Sequence, residues 1–239
     1  MSILLSFLLV FHPNWDVDPD LWGIGLLNLR KTIDSPNTNF NLPPDIKINF
    51  YDAPEGEVQG YLVRQAVGGH ASWKDIEVVP RFAERLTLHQ HDSREVNYHI
   101  SSLLVFERRK EWVKVLHHTL AGEQWIKLDE LAPHNIYYQD WIDFLVDMPT
   151  TYHPPSAFGL NLRSGAGVPF GLLCTMKGDG FQIELSGKKA HGQWLEAKVT
   201  EYSEHPCVDG KPTGNVWTGW FKAIDDKGFP NVWFYTRGC

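Results

Sequence analysis

The sequence predicts a mainly β protein organised as two small barrels joined by a short helical connector. Ten Trp, thirteen Phe and eight Tyr in 239 residues are many for the length, and aromatic side chains favour pleated sheet and fill small cores. The 20 Gly and 15 Pro are spread along the chain, as many short turns require. Apolar runs are short and tend to alternate, and only one segment repeats at helical spacing.

The length suits two ordinary domains, and 43% hydrophobic with 21% charged residues is the composition of a folded globular chain. A net charge of −7, a pI near 5.8 and no basic stripe argue against a nucleic-acid partner. Cys174, Cys207 and Cys239 are an odd number and lack a CxxC or Cys/His spacing for zinc. One disulfide in an exported protein and three reduced thiols both fit them.

Residues 1–45 form an N-terminal apolar segment and a linker. Met1 to Phe11 reads MSILLSFLLVF, like the apolar stretch of a secretory signal, but has no preceding Lys or Arg and no small-residue cleavage site. A truncated signal and a buried first strand or helix both fit it; the run is too short for a membrane-spanning helix. Asp16, Asp18 and Asp20 alternate like the start of a calcium loop, but Leu21 and Leu27 replace the Gly and Glu that such a loop needs. Leu21 to Leu29 is expected to dock on the first barrel.

The first barrel is expected over 46–132. Ile46–Tyr51 alternates, Asp52 to Gly56 is a turn cluster, and Val58–Val63 follows as a strand. Leu86–His91, Asn97–Phe106, Glu111–Leu116 and Gln124–Leu128 supply further strands. Residues 133–157 form the connector, where Tyr138, Trp141, Ile142, Leu145 and Val146 recur at helical spacing before Pro149. From Phe158 the short strands resume: a Gly-rich turn at 164–167, Phe170–Met176, Phe181–Leu185, Gly192–Val199, and a final hairpin around Asp225 to Gly228.

The series Leu160-Asn161-Leu162-Arg163-Ser164-Gly165-Ala166-Gly167, Lys177-Gly178-Asp179, Trp194 to Val199 and Gly219-Trp220 resembles, in order and spacing, the bacterial SH3 (SH3b) domain family. The resemblance covers about 158–239. A longer Ser203–Val216 loop and the chain beyond Trp220 depart from it. A weaker likeness covers about 46–131, where Ile48 to Gly56 stands in for the opening motif, Trp112-Val113-Lys114-Val115 for the W-x-K-V strand and Gln124-Trp125-Ile126 for the late Gly-Trp. The insertion Gln65–Arg85 lies outside that pattern. The resemblance implies two SH3-like barrels in a non-catalytic binding or scaffolding protein of the bacterial envelope. Its partners would be cell-wall glycan or peptide, or another protein. Secretion or a periplasmic location is expected, with a cytoplasmic location as the alternative and the membrane reached only through the N-terminal segment.

The catalytic patterns that accompany such domains are absent. Cys174 falls in a strand, Cys207 in a proline-flanked loop and Cys239 at the end, whereas a nucleophilic cysteine needs a helix start and a nearby His. No G-x-S-x-G, H-E-x-x-H or phosphate-cradling glycine motif occurs. No enzyme activity and no cofactor are therefore expected. The competing expectation is a metal-binding protein or metal-dependent enzyme built on His89 and His91, joined by His117, His118 and Asp92 if the strands are neighbours. A ligand site is expected from Trp73, Trp217, Trp220 and Trp233, whose rings stack sugars or grip peptides where they are not core fillers.

Overall fold

The computed structural model describes residues 22–29, 46–64, 76–97, 100–148, 151–152, 159–178, 180–190, 192–206, 210–226 and 228–234. Strands make up 55% of the described residues, which are mainly β. The N-terminal run 1–11, the aspartates at 16–20, Trp73, Cys207 and Cys239 lie outside the described residues.

In chain order the first half contains β1 (Gly25–Leu29), β2 (Lys47–Tyr51), β3 (Val58–Arg64), β4 (Ile76–Pro80) and β5 (Leu86–Thr87). A 3-10 turn at Gln90–Asp92 leads to β6 (Ser93–Asn97), β7 (Ile100–Val105), β8 (Glu107–Arg109), β9 (Trp112–Val115) and β10 (Gln124–Lys127). Then come α1 (Leu128–Leu131), β11 (Ile136–Asp140), α2 (Trp141–Asp147) and β12 (Thr151–Tyr152). The last part holds β13 (Leu160–Arg163), β14 (Leu172–Met176), β15 (Phe181–Ala190), β16 (Trp194–Tyr202) and β17 (Pro212–Lys222).

The strands pair antiparallel into three sheets. One has seven strands in the order β5-β4-β3-β2-β10-β9-β8, one has four in the order β11-β1-β7-β6, and one has six in the order β12-β15-β16-β17-β13-β14. Among the described residues no pairing joins the two edges of any sheet.

The four-stranded sheet lies between two cores. In β1, Leu26 packs into one core and Leu27 into the other, and in β7 Leu104 and Leu103 divide the same way. Strand side chains alternate between faces, so a sheet with apolar neighbours at consecutive positions is covered on both sides. The core on one face adds Ile48, Phe50, Leu62, Val78, Val113 and Ile126 from the seven-stranded sheet. The core on the other adds Leu162, Met176, Ile183, Leu195, Val199 and Phe221 from the six-stranded sheet.

One end of this sheet is polar. The Ser102 hydroxyl donates to Asn28 Oδ1, Asn28 Nδ2 donates to Gln139 Oε1 at 2.7 Å, and Gln139 Nε2 donates to Asp147 Oδ2 at 2.7 Å. Asn28, Ser102 and Gln139 are buried, and this chain of bonds satisfies them where water cannot. Gly23, at φ +59°, fits where a Cβ would stand 2.3 Å from the Val105 carbonyl oxygen, so the approach to β1 requires glycine.

The expected connector helix starts later than its periodicity suggested. Tyr138 pairs with Leu27 of β1, which keeps residues 136–140 in the sheet. Asp140 then caps α2 by accepting from the Asp143 N–H at 2.8 Å. The helix buries Trp141, Phe144 and Leu145. Trp22, Trp141 and Trp233 meet edge to face at 4.7–5.8 Å, Phe144 stacks on Trp233 at 5.9 Å, and Trp141 Nε1 donates to the Gly23 carbonyl at 3.0 Å. These rings tie the approach to β1, α2 and the C-terminal segment together.

Other boundaries also differ. The expected strand Leu86–His91 is two residues long and gives way to the 3-10 turn, and Asn97–Phe106 is divided between β6 and β7. The insertion Gln65–Arg85 contains β4, paired with β3 from Gly60↔Pro80 to Arg64↔Ile76. Residues 25–29, expected as a docked linker element, are an interior strand of the four-stranded sheet. No helix among the described residues is long and apolar enough to cross a membrane.

Trp141→Ala removes a buried indole that serves three segments. It is expected to lower unfolding free energy by about 3–5 kcal/mol in chemical denaturation.

Candidate functional site

The histidines singled out in the sequence do come together, though on a turn rather than on a strand face. His89 precedes the 3-10 turn, and the turn after β9 brings His117 and His118 alongside. Ring centroids lie 4.9 Å apart for His89–His91, 5.8 Å for His89–His118, 5.5 Å for His91–His118 and 4.9 Å for His117–His118. Phe106 closes the group, 5.1 Å from His117 and 5.7 Å from His118.

Beneath the rings Asp92 is fully buried. Its Oδ1 accepts from the His118 N–H at 2.9 Å and its Oδ2 from the Thr119 hydroxyl at 2.5 Å. Thr119 Oγ1 in turn accepts from the His89 N–H at 2.8 Å. A buried carboxylate is tolerated when both oxygens are engaged in this way. Asp92 is thus the pin that holds the 116–120 segment. Among the described residues no three His, Cys, Asp or Glu side chains are placed to hold a metal ion.

Of the four tryptophans expected to form a ligand site, the three among the described residues are dispersed. Trp233 is 6% exposed within the aromatic cluster described above. Trp217 and Trp220 are three residues apart in β17 and so face opposite sides of the six-stranded sheet. Trp217 packs partly against the core, and Trp220, half-buried, stands opposite Glu196 and Arg163 on the neighbouring strands. Trp73 lies outside the described residues. Cys174 is a free thiol in β14, and burial pushes its pKa up to about 11, which keeps it protonated at neutral pH.

A surface apart from the expected tryptophan site is the β13–β14 hairpin. Arg163 donates through Nη1 to the carbonyls of Val168 at 3.0 Å and Phe170 at 2.9 Å, which folds the Ser164–Gly171 loop back on the strand. Ser164 N–H bonds the Gly171 carbonyl at 2.8 Å, closing the loop. Gly165 makes room for Phe170: a Cβ there would stand 2.5 Å from the ring. The Arg-Ser-Gly-x-Gly motif is therefore the internal bracing of a loop.

That loop presents Val168 at 71% exposure and Phe170 at 50%, and the start of β14 adds Leu172 at 55% and Leu173 at 38%. Large apolar side chains concentrated on one exposed hairpin, at a sheet edge, form the kind of patch that marks a contact surface. The sequence signal was available: Val168-Pro169-Phe170 puts apolar residues inside a Gly-rich turn, where polar ones are usual.

Asp92→Ala leaves the His118 N–H and the Thr119 hydroxyl without their acceptor. It is expected to lower stability by about 2–3 kcal/mol in denaturant unfolding, more than any single exposed histidine replaced by Gln. No family model matches the chain, and no curated protein or solved structure gives a match either.

Proposed function

We propose that this chain is a non-catalytic binding or scaffolding protein of the bacterial envelope. In this reading 46–132 and 158–239 are two SH3b-like units, 133–157 connects them, and the ligand is cell-wall glycan or peptide. The observation that carries it is the exposed apolar hairpin of Val168, Phe170, Leu172 and Leu173 on a loop braced by Arg163. A rigid loop loses little conformational freedom on binding, and each large apolar side chain that a ligand covers contributes about 1.5–3 kcal/mol before the costs of association.

Three further features support the reading. The ordered motif series from Leu160 to Trp220 resembles SH3b domains, the apolar run Met1 to Phe11 suits export, and nucleophile and phosphate-binding motifs are missing from the sequence. A protein ligand on the same hairpin is the version to which a negative cell-wall result leads.

The test is co-sedimentation with purified peptidoglycan sacculi. The wild-type protein is expected in the pellet, and the surface double variant Val168→Ser with Leu172→Ser is expected to bind about tenfold or more weakly with unchanged stability. A wild-type protein that stays in the supernatant contradicts the cell-wall ligand, and equal binding by the variant contradicts the hairpin.

A further inference from the structure

We propose that the edge of β14 pairs with β14 of a second copy of this chain, antiparallel across a two-fold axis, and so joins two six-stranded sheets into one. This inference does not rest on the wall-binding reading.

A sheet edge presents unpaired N–H and C=O groups and invites another strand, so folded proteins blunt their edges with short strands, charges or a covering element. Among the described residues the three sheets have six edges, and five of them are blunted. Strands β5 and β12 are two residues long, and β8 has three residues, all charged. Strand β6 carries Arg94 and Glu95, and β11 is packed against α1 and α2.

Strand β14 is the exception. Leu172-Leu173-Cys174-Thr175-Met176 has five residues with no charge and no proline, and among the described residues only β13 pairs with it. The register against β13 shifts between Leu172 and Cys174, so the bulge falls at the hairpin end. Cys174, Thr175 and Met176 pair with β13 in unbroken register.

This edge is apolar as well as unpaired. Of the eight large apolar side chains exposed among the described residues, four (Val168, Phe170, Leu172 and Leu173) lie in β14 or in the loop that leads into it. One contact there supplies both backbone hydrogen bonds and apolar cover.

A second copy is the occupant that fits. Two antiparallel copies of one strand offer each other matching rows of donors and acceptors, and residues opposite one another share a face. At a net charge of −7 the copies repel one another on average, whereas β14 brings no like charges face to face. The antiparallel arrangement sends the two 164–171 loops to opposite ends of the shared strand pair, so neither covers the other.

Sedimentation and hydrogen exchange on the full chain test this. At about 100 μM the wild type is expected to sediment as a dimer of the 27.4 kDa chain. Exchange in 172–176 is expected to be about tenfold slower there than in a dilute, monomeric sample. The double variant Leu172→Lys with Thr175→Lys puts two like charges per copy on the paired edge and is expected to weaken dimerisation about tenfold or more. Its unfolding transition in denaturant shows that it is folded. A dimer whose 172–176 exchange is unchanged, or a folded double variant that dimerises as tightly as the wild type, overturns the proposal. So does a wild type that stays monomeric at that concentration, which leaves the edge to a strand of another protein.

Discussion

Leu26 and Leu27 are sequence neighbours in β1 and belong to different cores, and Leu103 and Leu104 do the same in β7. Since adjacent strand residues point to opposite faces, this sheet has no solvent side. Each of its faces must be covered by apolar side chains from another sheet, and the seven- and six-stranded sheets are what cover them. The same burial dictates the hydrogen-bonded chain Ser102–Asn28–Gln139–Asp147, because polar groups inside such a layer need partners within the protein. It also dictates Gly23, where the chain passes the Val105 carbonyl too closely for a side chain.

The apolar hairpin and the histidine group both sit around this layer. The exposed apolar side chains of the hairpin lie in its loop and at the start of the edge strand β14 of the six-stranded sheet, whose far end buries Met176. The histidine group lies where the central sheet hands the chain to the seven-stranded one, next to Phe106. The hairpin is braced by Arg163 and faces outward.

Much of the strand pattern was legible. Lys47–Tyr51 and Val58–Arg64 alternate as half-buried strands should, and the Gly178 turn, at φ +70°, sits where Lys177-Gly178-Asp179 placed it. The role of β1 was not legible from local pattern, because its partner β11 lies more than a hundred residues away and no short-range signal names a partner. A hint existed in the runs Gly25-Leu26-Leu27 and Leu103-Leu104-Val105, continuous rather than alternating, as strands covered on both faces read. The end of β11 was hidden for a different reason: Tyr138 obeys both the helical period and the strand, and the cap at Asp140 decides between them. The histidines were found by composition and spacing. The engagement of both Asp92 oxygens was not, since it depends on how the turn after β9 folds.

Because the central sheet is shared, damage on either face should reach both cores. Leu103→Ala and Leu104→Ala remove neighbouring side chains that point into opposite cores, and each is expected to cost about 2–5 kcal/mol. The direct measurement is hydrogen exchange across denaturant concentrations in both variants. Strands β2–β4 and β15–β17 should lose protection together in each variant, in one transition. If Leu103→Ala loosens only β2–β4, or Leu104→Ala only β15–β17, the two cores are independent and the shared sheet does not couple them.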